Sequence, residues 1–228
     1  MNIDRLVQEI RHGALAVGVL AAIVAPGSLD AQTTGTITGT VTTSVAASPK
    51  PIRVTTAQRV CGDELGDRAI VTGRNGALAN AIVKISGVKV RGATGSQGIV
   101  NEKCRFAPRV QIARPNATIT TTSSDPILHT TNAQSDNGRT IFNVDVPVAG
   151  VKINRSVNGS GNTHPLMRGW VLVTDEAAAV TGADGRFTLG EVPAGTYEVA
   201  VWHEALKGAP QKAVVTPGQT ATIDFIVK

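Results

Sequence analysis

Short segments in which apolar and polar residues alternate dominate the chain beyond residue 35. Residues 36–42 read Thr-Ile-Thr-Gly-Thr-Val-Thr and alternate in this way. A period of two places successive side chains on opposite faces, as in a β-strand with one buried face. Similar patterns predict further strands over residues 69–72, 81–86, 109–112, 117–122, 139–146, 151–154, 170–174, 186–189, 196–202, 212–215 and 221–227.

Turn-forming residues separate these segments. Gly73-Arg-Asn-Gly76 follows one predicted strand, and Asp184-Gly185 and Pro217-Gly218 lie between later ones. Strands that recur at hairpin-like spacing predict an all-β protein, built as a sandwich or a barrel. In this part of the chain the one helical candidate is a single turn over residues 175–179.

The first 31 residues have the pattern of an export signal. Arg5 and Arg11 precede an apolar stretch over residues 13–25, and Ala31-Gln32 offers a cleavage point. As a helix this stretch is about 20 Å long, whereas the hydrocarbon core of a bilayer is about 30 Å thick. We therefore expect a cleaved signal peptide and a periplasmic or otherwise exported protein. A retained anchor in the inner membrane is the alternative.

Charge and aromatic content narrow the function classes. The chain has 22 Lys and Arg against 17 Asp and Glu, and its net charge is +5. The basic residues are scattered singly, and there are only four Phe, two Trp and one Tyr, so binding of nucleic acid is not expected. The same scarcity of rings disfavours a carbohydrate-binding platform. Without a phosphate-binding glycine motif, a nucleophile elbow or a zinc-protease helix, no catalytic residues are expected.

The two cysteines are Cys61 and Cys104. In an exported chain an even number of cysteines favours a disulfide, which here would close a loop of more than 40 residues. Such a cross-link contributes about 2–4 kcal/mol, mainly by restricting the unfolded chain. Two buried free thiols are the alternative.

Four motifs occur in a particular order along the chain: Cys61-Gly62, Asn101-Glu-Lys-Cys-Arg-Phe-Ala-Pro108, Ser124-Asp-Pro-Ile-Leu-His129 and His164-Pro-Leu-Met167. Together they resemble exported cupredoxin-like proteins of the plastocyanin type. In that family a Greek-key sandwich precedes a carboxypeptidase-regulatory-like, or transthyretin-like, module, which residues 180–204 resemble.

The export pattern of the N-terminus and the resemblance, which covers roughly residues 36–228, together predict an all-β chain with three parts. Residues 1–31 are the N-terminal apolar helix, as signal peptide or membrane anchor. Residues 32–172 are the cupredoxin-like sandwich, and residues 173–228 are a small transthyretin-like β-sandwich. The sequence does not fix the boundary between the two sandwiches, because residues 36–42 and 76–87 can pair into either of them.

The resemblance also implies a type 1 copper site, which needs a Cys thiolate, two His and often an axial Met. His129, His164 and Met167 match the His and Met ligands, but Gly161 stands where the thiolate is required. Both cysteines match the structural pair of the family. We therefore expect no resident cofactor and hydrogen-bonded, vestigial histidines. Copper held weakly by His129, His164 and Met167 is the alternative.

These observations lead to one expected function and one alternative. We expect a non-catalytic periplasmic structural or accessory subunit on a degenerate cupredoxin scaffold. Its partners would be protein subunits of a membrane electron-transfer complex, such as a respiratory complex or a photosynthetic reaction centre, with membrane contact through residues 1–31. The alternative is a copper-binding redox or metal-handling protein. We expect His203 to be a satisfied structural residue, and Trp170 and Trp202 to pack between the modules.

Overall fold

A computed structural model describes residues 33–47, 50–89, 97–157, 161–162 and 167–228, the pair 161–162 by backbone alone. The predicted signal peptide or anchor over residues 1–31 lies outside the described residues. Among the described residues, no helix combines the length and the apolar character needed to cross a bilayer.

The described chain is built almost entirely of strands, which confirms the all-β prediction. The N-terminal part contains, in order, β1 (Thr34–Thr43), β2 (Ile52–Arg53), the one-turn helix α1 (Gln58–Cys61), β3 (Glu64–Leu65), a 3-10 turn (Arg74–Gly76) and β4 (Ile82–Lys89). The middle part contains β5 (Gly98–Glu102), β6 (Arg105–Ala107), β7 (Val110–Ala113), β8 (Thr118–Ser123), β9 (His129–Gln134), β10 (Thr140–Val146), β11 (Ile153–Ser156), β12 (Gly161–Asn162) and β13 (Trp170–Val173). The C-terminal part contains β14 (Glu176–Val180), β15 (Arg186–Pro193), β16 (Gly195–Trp202), β17 (Gln211–Val215), β18 (Thr220–Thr222) and β19 (Phe225–Val227).

The first sandwich combines strands from the two ends of the described chain. In one of its sheets β1 pairs antiparallel with β15, and parallel with β18 and β19. The other sheet has the strand order β14-β4-β16-β17 and is antiparallel. The largest core cluster lies between them and includes Ile37, Val41, Ile85, Phe187 and Phe225.

Strand β1 follows the alternation of its sequence. Ile37 and Val41 are fully buried, whereas the threonines between them are more exposed. A side chain at Gly39 would collide with the carbonyl oxygen of Ile223, so the strand needs glycine where the C-terminal chain passes close by. At the turn before β15, Gly185 adopts φ +70°, and its carbonyl accepts a hydrogen bond from Val41 N–H over 2.8 Å.

The second sandwich is formed by β5 to β13 and is inserted between β4 and β14. Its sheets have the orders β10-β9-β12-β13-β7 and β11-β8-β5-β6. Its core includes Ile99, Phe106, Ile119, Phe142 and Val144. Between the sandwiches a smaller cluster joins Ile82 of β4 to Val110 and Ile112 of β7, with Trp170 packed against it.

A small subdomain packs against the β5–β6 turn of the second sandwich, where Val54 and Leu65 form an apolar cluster with Cys104. Strands β2 and β3 pair as an antiparallel hairpin, and α1 lies between them in sequence. A disulfide joins Cys61, at the end of α1, to Cys104, between β5 and β6, with 5.4 Å between the Cα atoms. This confirms the predicted disulfide and rules out two free thiols.

Two predicted elements are wrong, and both errors arise from tertiary context. Residues 69–72 form no strand, and only Thr72 makes an isolated bridge, to Leu78. Residues 175–179 are not a helical turn, because Glu176–Val180 pairs with β4 as a strand. The alternation does not predict β5, β6 and β9, nor the two-residue strands β2, β3 and β12. The sequence left open which sandwich residues 36–42 and 76–87 join. In the structure β1 and β4 both pair with C-terminal strands. These pairings cross the predicted boundary between residues 172 and 173.

Candidate functional site

His129, one of the predicted copper ligands, begins β9 and is buried. Its Nε2 lies 2.8 Å from Oδ2 of Asp125, which is also buried. A carboxylate oxygen accepts hydrogen bonds, so this contact fits a tautomer in which the Nε2–H group donates a hydrogen bond to Asp125. The sequence indicated His129, but it gave no role to Asp125.

Asp125 also holds the turn between β5 and β6. Its Oδ1 accepts a hydrogen bond from the backbone N–H of Lys103 over 2.7 Å, and its Oδ2 accepts one from Cys104 N–H over 2.8 Å. Lys103 and Cys104 have φ values of 50° and 56°, so the turn directs consecutive N–H groups toward one anion. Asp125 therefore links the disulfide-bearing turn to β9.

The Cys104 sulfur, an Asp125 oxygen and a His129 nitrogen lie within 4.8 Å of one another. Such a grouping has the composition of a metal site, but the sulfur is bonded to Cys61 and offers no thiolate. The carboxylate is already the acceptor for two backbone groups and one imidazole. The arrangement is therefore a closed hydrogen-bond network.

Of the other positions in the predicted copper site, only Met167 is described with its side chain. His164 lies outside the described residues, so its convergence with His129 stays a prediction. Gly161 lies in the two-residue strand β12, next to β13. Met167 is half-buried and packs against the core of the second sandwich.

Met167 also lines a pocket rich in arginine. The other lining residues are Arg68, Arg105, Phe106, Arg109 and Arg168. They come from the loop after β3, from β6, from the segment before β7 and from the segment before β13. We call this set the arginine pocket.

Two of these arginines are fixed by the protein. The Arg109 guanidinium donates from Nε to Oε1 of Glu204 over 2.6 Å and from Nη2 to Oε2 over 2.8 Å. Its side chain is 14% exposed and that of Glu204 only 3%. Arg105 donates from Nη1 to the carbonyl oxygen of Gly66 over 3.0 Å. Both guanidinium groups are therefore held in place at the pocket.

The other two arginines are exposed. In the described part of the chain, neither Arg68 nor Arg168 forms an ion pair with a carboxylate. Burial lowers the pKa of Arg105, and the nearby charges of Arg68 and Arg109 lower it further, against an opposing effect of Asp67. The guanidinium groups thus repel one another and create a positive potential at the pocket.

The tryptophans and His203 lie beside the Arg109–Glu204 ion pair. Trp170 and Trp202 meet edge to face with ring centroids 5.2 Å apart, and the backbone N–H of Trp170 donates to the Arg109 carbonyl oxygen. His203 is buried, and its Nδ1 accepts a hydrogen bond from Ala205 N–H over 3.3 Å. Burial lowers the pKa of His203, with Glu204 opposing that effect, so the imidazole is neutral near pH 7. Trp170 and Trp202 contact each other between the sandwiches, although Trp202 is 39% exposed. The prediction of a satisfied His203 holds only for Nδ1, because the buried Nε2 has no hydrogen-bond partner among the described residues.

The linear sequence gave no signal for the arginine pocket. Its basic residues are far apart in the chain, and only Arg105 and Arg109 are close in sequence. Folding brings them together because their strands and loops meet at one end of the second sandwich. The lining contains cationic, aromatic and thioether groups but no acid, base or nucleophile, so the pocket is suited to binding an anion.

Comparison with known proteins identifies one part of the chain. Residues 138–228 match the carboxypeptidase regulatory-like domain. The searches of curated proteins and of solved structures found no match to the chain. The matched residues run from the turn before β10 to the C-terminus, and β1 and β4 complete the sheets of the first sandwich from outside the matched segment.

Proposed function

We propose that the protein is a non-catalytic accessory subunit, exported to the periplasm, that binds other proteins of a membrane-associated electron-transfer complex. On this proposal the second sandwich is a degenerate cupredoxin-like scaffold and the first is a transthyretin-like module. The observation that carries the proposal is the arginine pocket around Met167, since it places four guanidinium groups beside a residue that the resemblance makes a copper ligand.

The described residues do not fit a type 1 copper centre. Gly161 replaces the thiolate, and both cysteines form the disulfide. The positive field of the arginines opposes a copper ion at Met167. On this proposal the scaffold lacks the copper thiolate, and its arginine pocket serves to bind a partner protein.

Weak copper binding is the second candidate, and one observation favours it. Imidazoles that bind metals commonly donate their other N–H to a carboxylate, as His129 Nε2 does to Asp125. His129 would then bind the ion through Nδ1, with His164 and Met167 as further ligands. The ion would be copper, because imidazole and thioether donors favour it.

The test is gentle purification of the protein from its native membranes. Intact mass, copper content and co-purifying subunits are measured on the same sample. We expect stoichiometric protein partners and no copper. A lone chain with one copper per molecule would overturn the proposal, provided that His164→Ala removes the copper and His203→Gln, a histidine change outside the predicted ligand set, does not.

A further inference from the structure

We propose that the arginine pocket binds a glutamate or aspartate side chain from an acidic segment of a partner protein. The inference rests on the proposed accessory function and specifies its contact surface. Four arginines line the pocket, and the carboxylates of Glu204 and Asp67 lie close to them. Counted over these six side chains, the net charge at the pocket is +2.

The pocket is partly preorganised for a carboxylate. Glu204 holds Arg109 through both of its oxygens, and the Gly66 carbonyl holds Arg105. These side chains lose little further freedom when a ligand binds. Arg68 and Arg168 are exposed at the same pocket and are left to close on the ligand with bidentate hydrogen bonds.

The lining favours an amino-acid carboxylate over a hydrated inorganic anion. Half-buried Met167 gives the pocket an apolar edge, against which the methylene groups of an acidic side chain can pack. A nucleic acid would need exposed rings for base stacking, and the one ring in the lining, Phe106, is buried. A protein segment is therefore the ligand that we infer.

The two tryptophans provide a local signal for binding. Trp170 donates its backbone N–H to Arg109, and Trp202 contacts Trp170. Because the chain has no other tryptophan, a change in intrinsic fluorescence reports on the environment of this region.

The experiment titrates the full chain with an N-acetylated, C-amidated tetraglutamate peptide, followed by tryptophan fluorescence and by calorimetry. The matching tetraglutamine peptide, inorganic phosphate and vesicles of anionic phosphatidylglycerol are titrated separately. We expect saturable binding of tetraglutamate that weakens as salt is added, and no binding of tetraglutamine. Binding of phosphate alone or of the vesicles alone would overturn the inference.

Variants locate the binding. Arg68→Ala and Arg168→Ala should each weaken tetraglutamate binding about fivefold, which corresponds to one exposed charge-assisted contact. Arg139→Ala removes the same charge from the exposed turn between β9 and β10 and should change the affinity less than about twofold. Arg68 and Arg168 are exposed, so unchanged melting of these variants separates a binding defect from misfolding. Equal effects of all three variants would show a general charge effect and refute the pocket.

Native purification of the Arg68→Ala/Arg168→Ala double variant separates this inference from the proposed function. Loss of the partner that the wild-type chain retains supports both. Retention of the partner by the double variant would refute the pocket as the contact and leave the accessory function standing. Absence of any partner from the wild-type preparation would refute the accessory function itself.

Discussion

Arg109 and Glu204 form a bidentate ion pair that connects the two sandwiches. Arg109 precedes β7 of the second sandwich, and Glu204 follows β16 of the first. The pair lies next to the edge-to-face contact between Trp170 and Trp202 and next to the buried His203. One short region thus combines the contact between the sandwiches with one wall of the arginine pocket.

Removing the charge of Glu204 should destabilise the protein. Glu204→Gln leaves the largely buried Arg109 without its counter-ion, and we expect the free energy of unfolding to fall by about 3–5 kcal/mol. Urea unfolding measures the change. Glu198→Gln, on the exposed side of β16, should stay within about 0.5 kcal/mol of the wild type. An equally small loss for Glu204→Gln would show that the ion pair contributes little.

Asp125 should be important for stability, whether or not the protein binds metal. Asp125→Ala removes the acceptor of two backbone N–H groups and of the His129 imidazole, so we expect a loss of about 2–4 kcal/mol. Thermal and urea unfolding test this expectation. The matched control is Asp63→Ala, because Asp63 is exposed and should tolerate the change. Similar stability of the two variants would contradict the assigned network.

The disulfide should stabilise the fold through its long loop. Cys61 and Cys104 are 43 residues apart, for which chain entropy predicts about 4 kcal/mol. We expect Cys61→Ser/Cys104→Ser to lower the Tm and to make unfolding insensitive to a reducing agent. A wild-type Tm that reductant leaves unchanged, with the bond shown to be open by mass, would argue against this contribution.

Stability should fall as the pH is lowered from 7.5 to 5.5, partly because of His203. Its pKa in the folded protein lies below the ordinary value of 6.5, so below pH 6.5 the unfolded chain binds more protons than the folded one. Protonation then favours unfolding. His203→Gln removes this group, and its urea midpoint should depend less on pH than that of the wild type. Identical slopes would show that His203 is not held neutral by burial.

Between pH 7.5 and 5.5, the effect of His203 on stability can be separated from that of three carboxylates. Asp175, Glu176 and Asp224 have pKa values lowered mainly by hydrogen bonds, so the stability linked to them is present above their ordinary pKa values and is lost only at more acidic pH. The comparison between wild type and His203→Gln also cancels the titration of the other histidines.

The C-terminal segment should not fold without β1 and β4. A fragment of residues 173–228 lacks the strand between β15 and β18 and the strand between β14 and β16. We expect circular dichroism of this fragment to show an unfolded chain. Residues 33–89 joined to 174–228 by a short Gly-Ser linker, with Cys61 changed to Ser, should fold, because Lys89 and Glu176 are partners in the β4–β14 pairing. Folding of 173–228 alone would contradict the shared core.

The sequence alone determined the β class, most of the strands and the disulfide. These features depend on local or simple signals: the alternation in β1, the Asp184-Gly185 turn and an even number of cysteines. Local signals failed where tertiary pairing overrides helix propensity. The alanines of Glu176–Val180 favour a helix, but this segment forms a strand because it pairs with β4.

Only the tertiary structure decided which strands share a core and which side chains meet. β1 and β4 lie far from their C-terminal partners in sequence, and apolar alternation does not specify a partner. Asp125 became the centre of a network because a turn with two positive φ angles faces it. The arginine pocket exists only in three dimensions, because Coulomb interactions depend on distance in space and four scattered arginines carry no shared pattern along the chain.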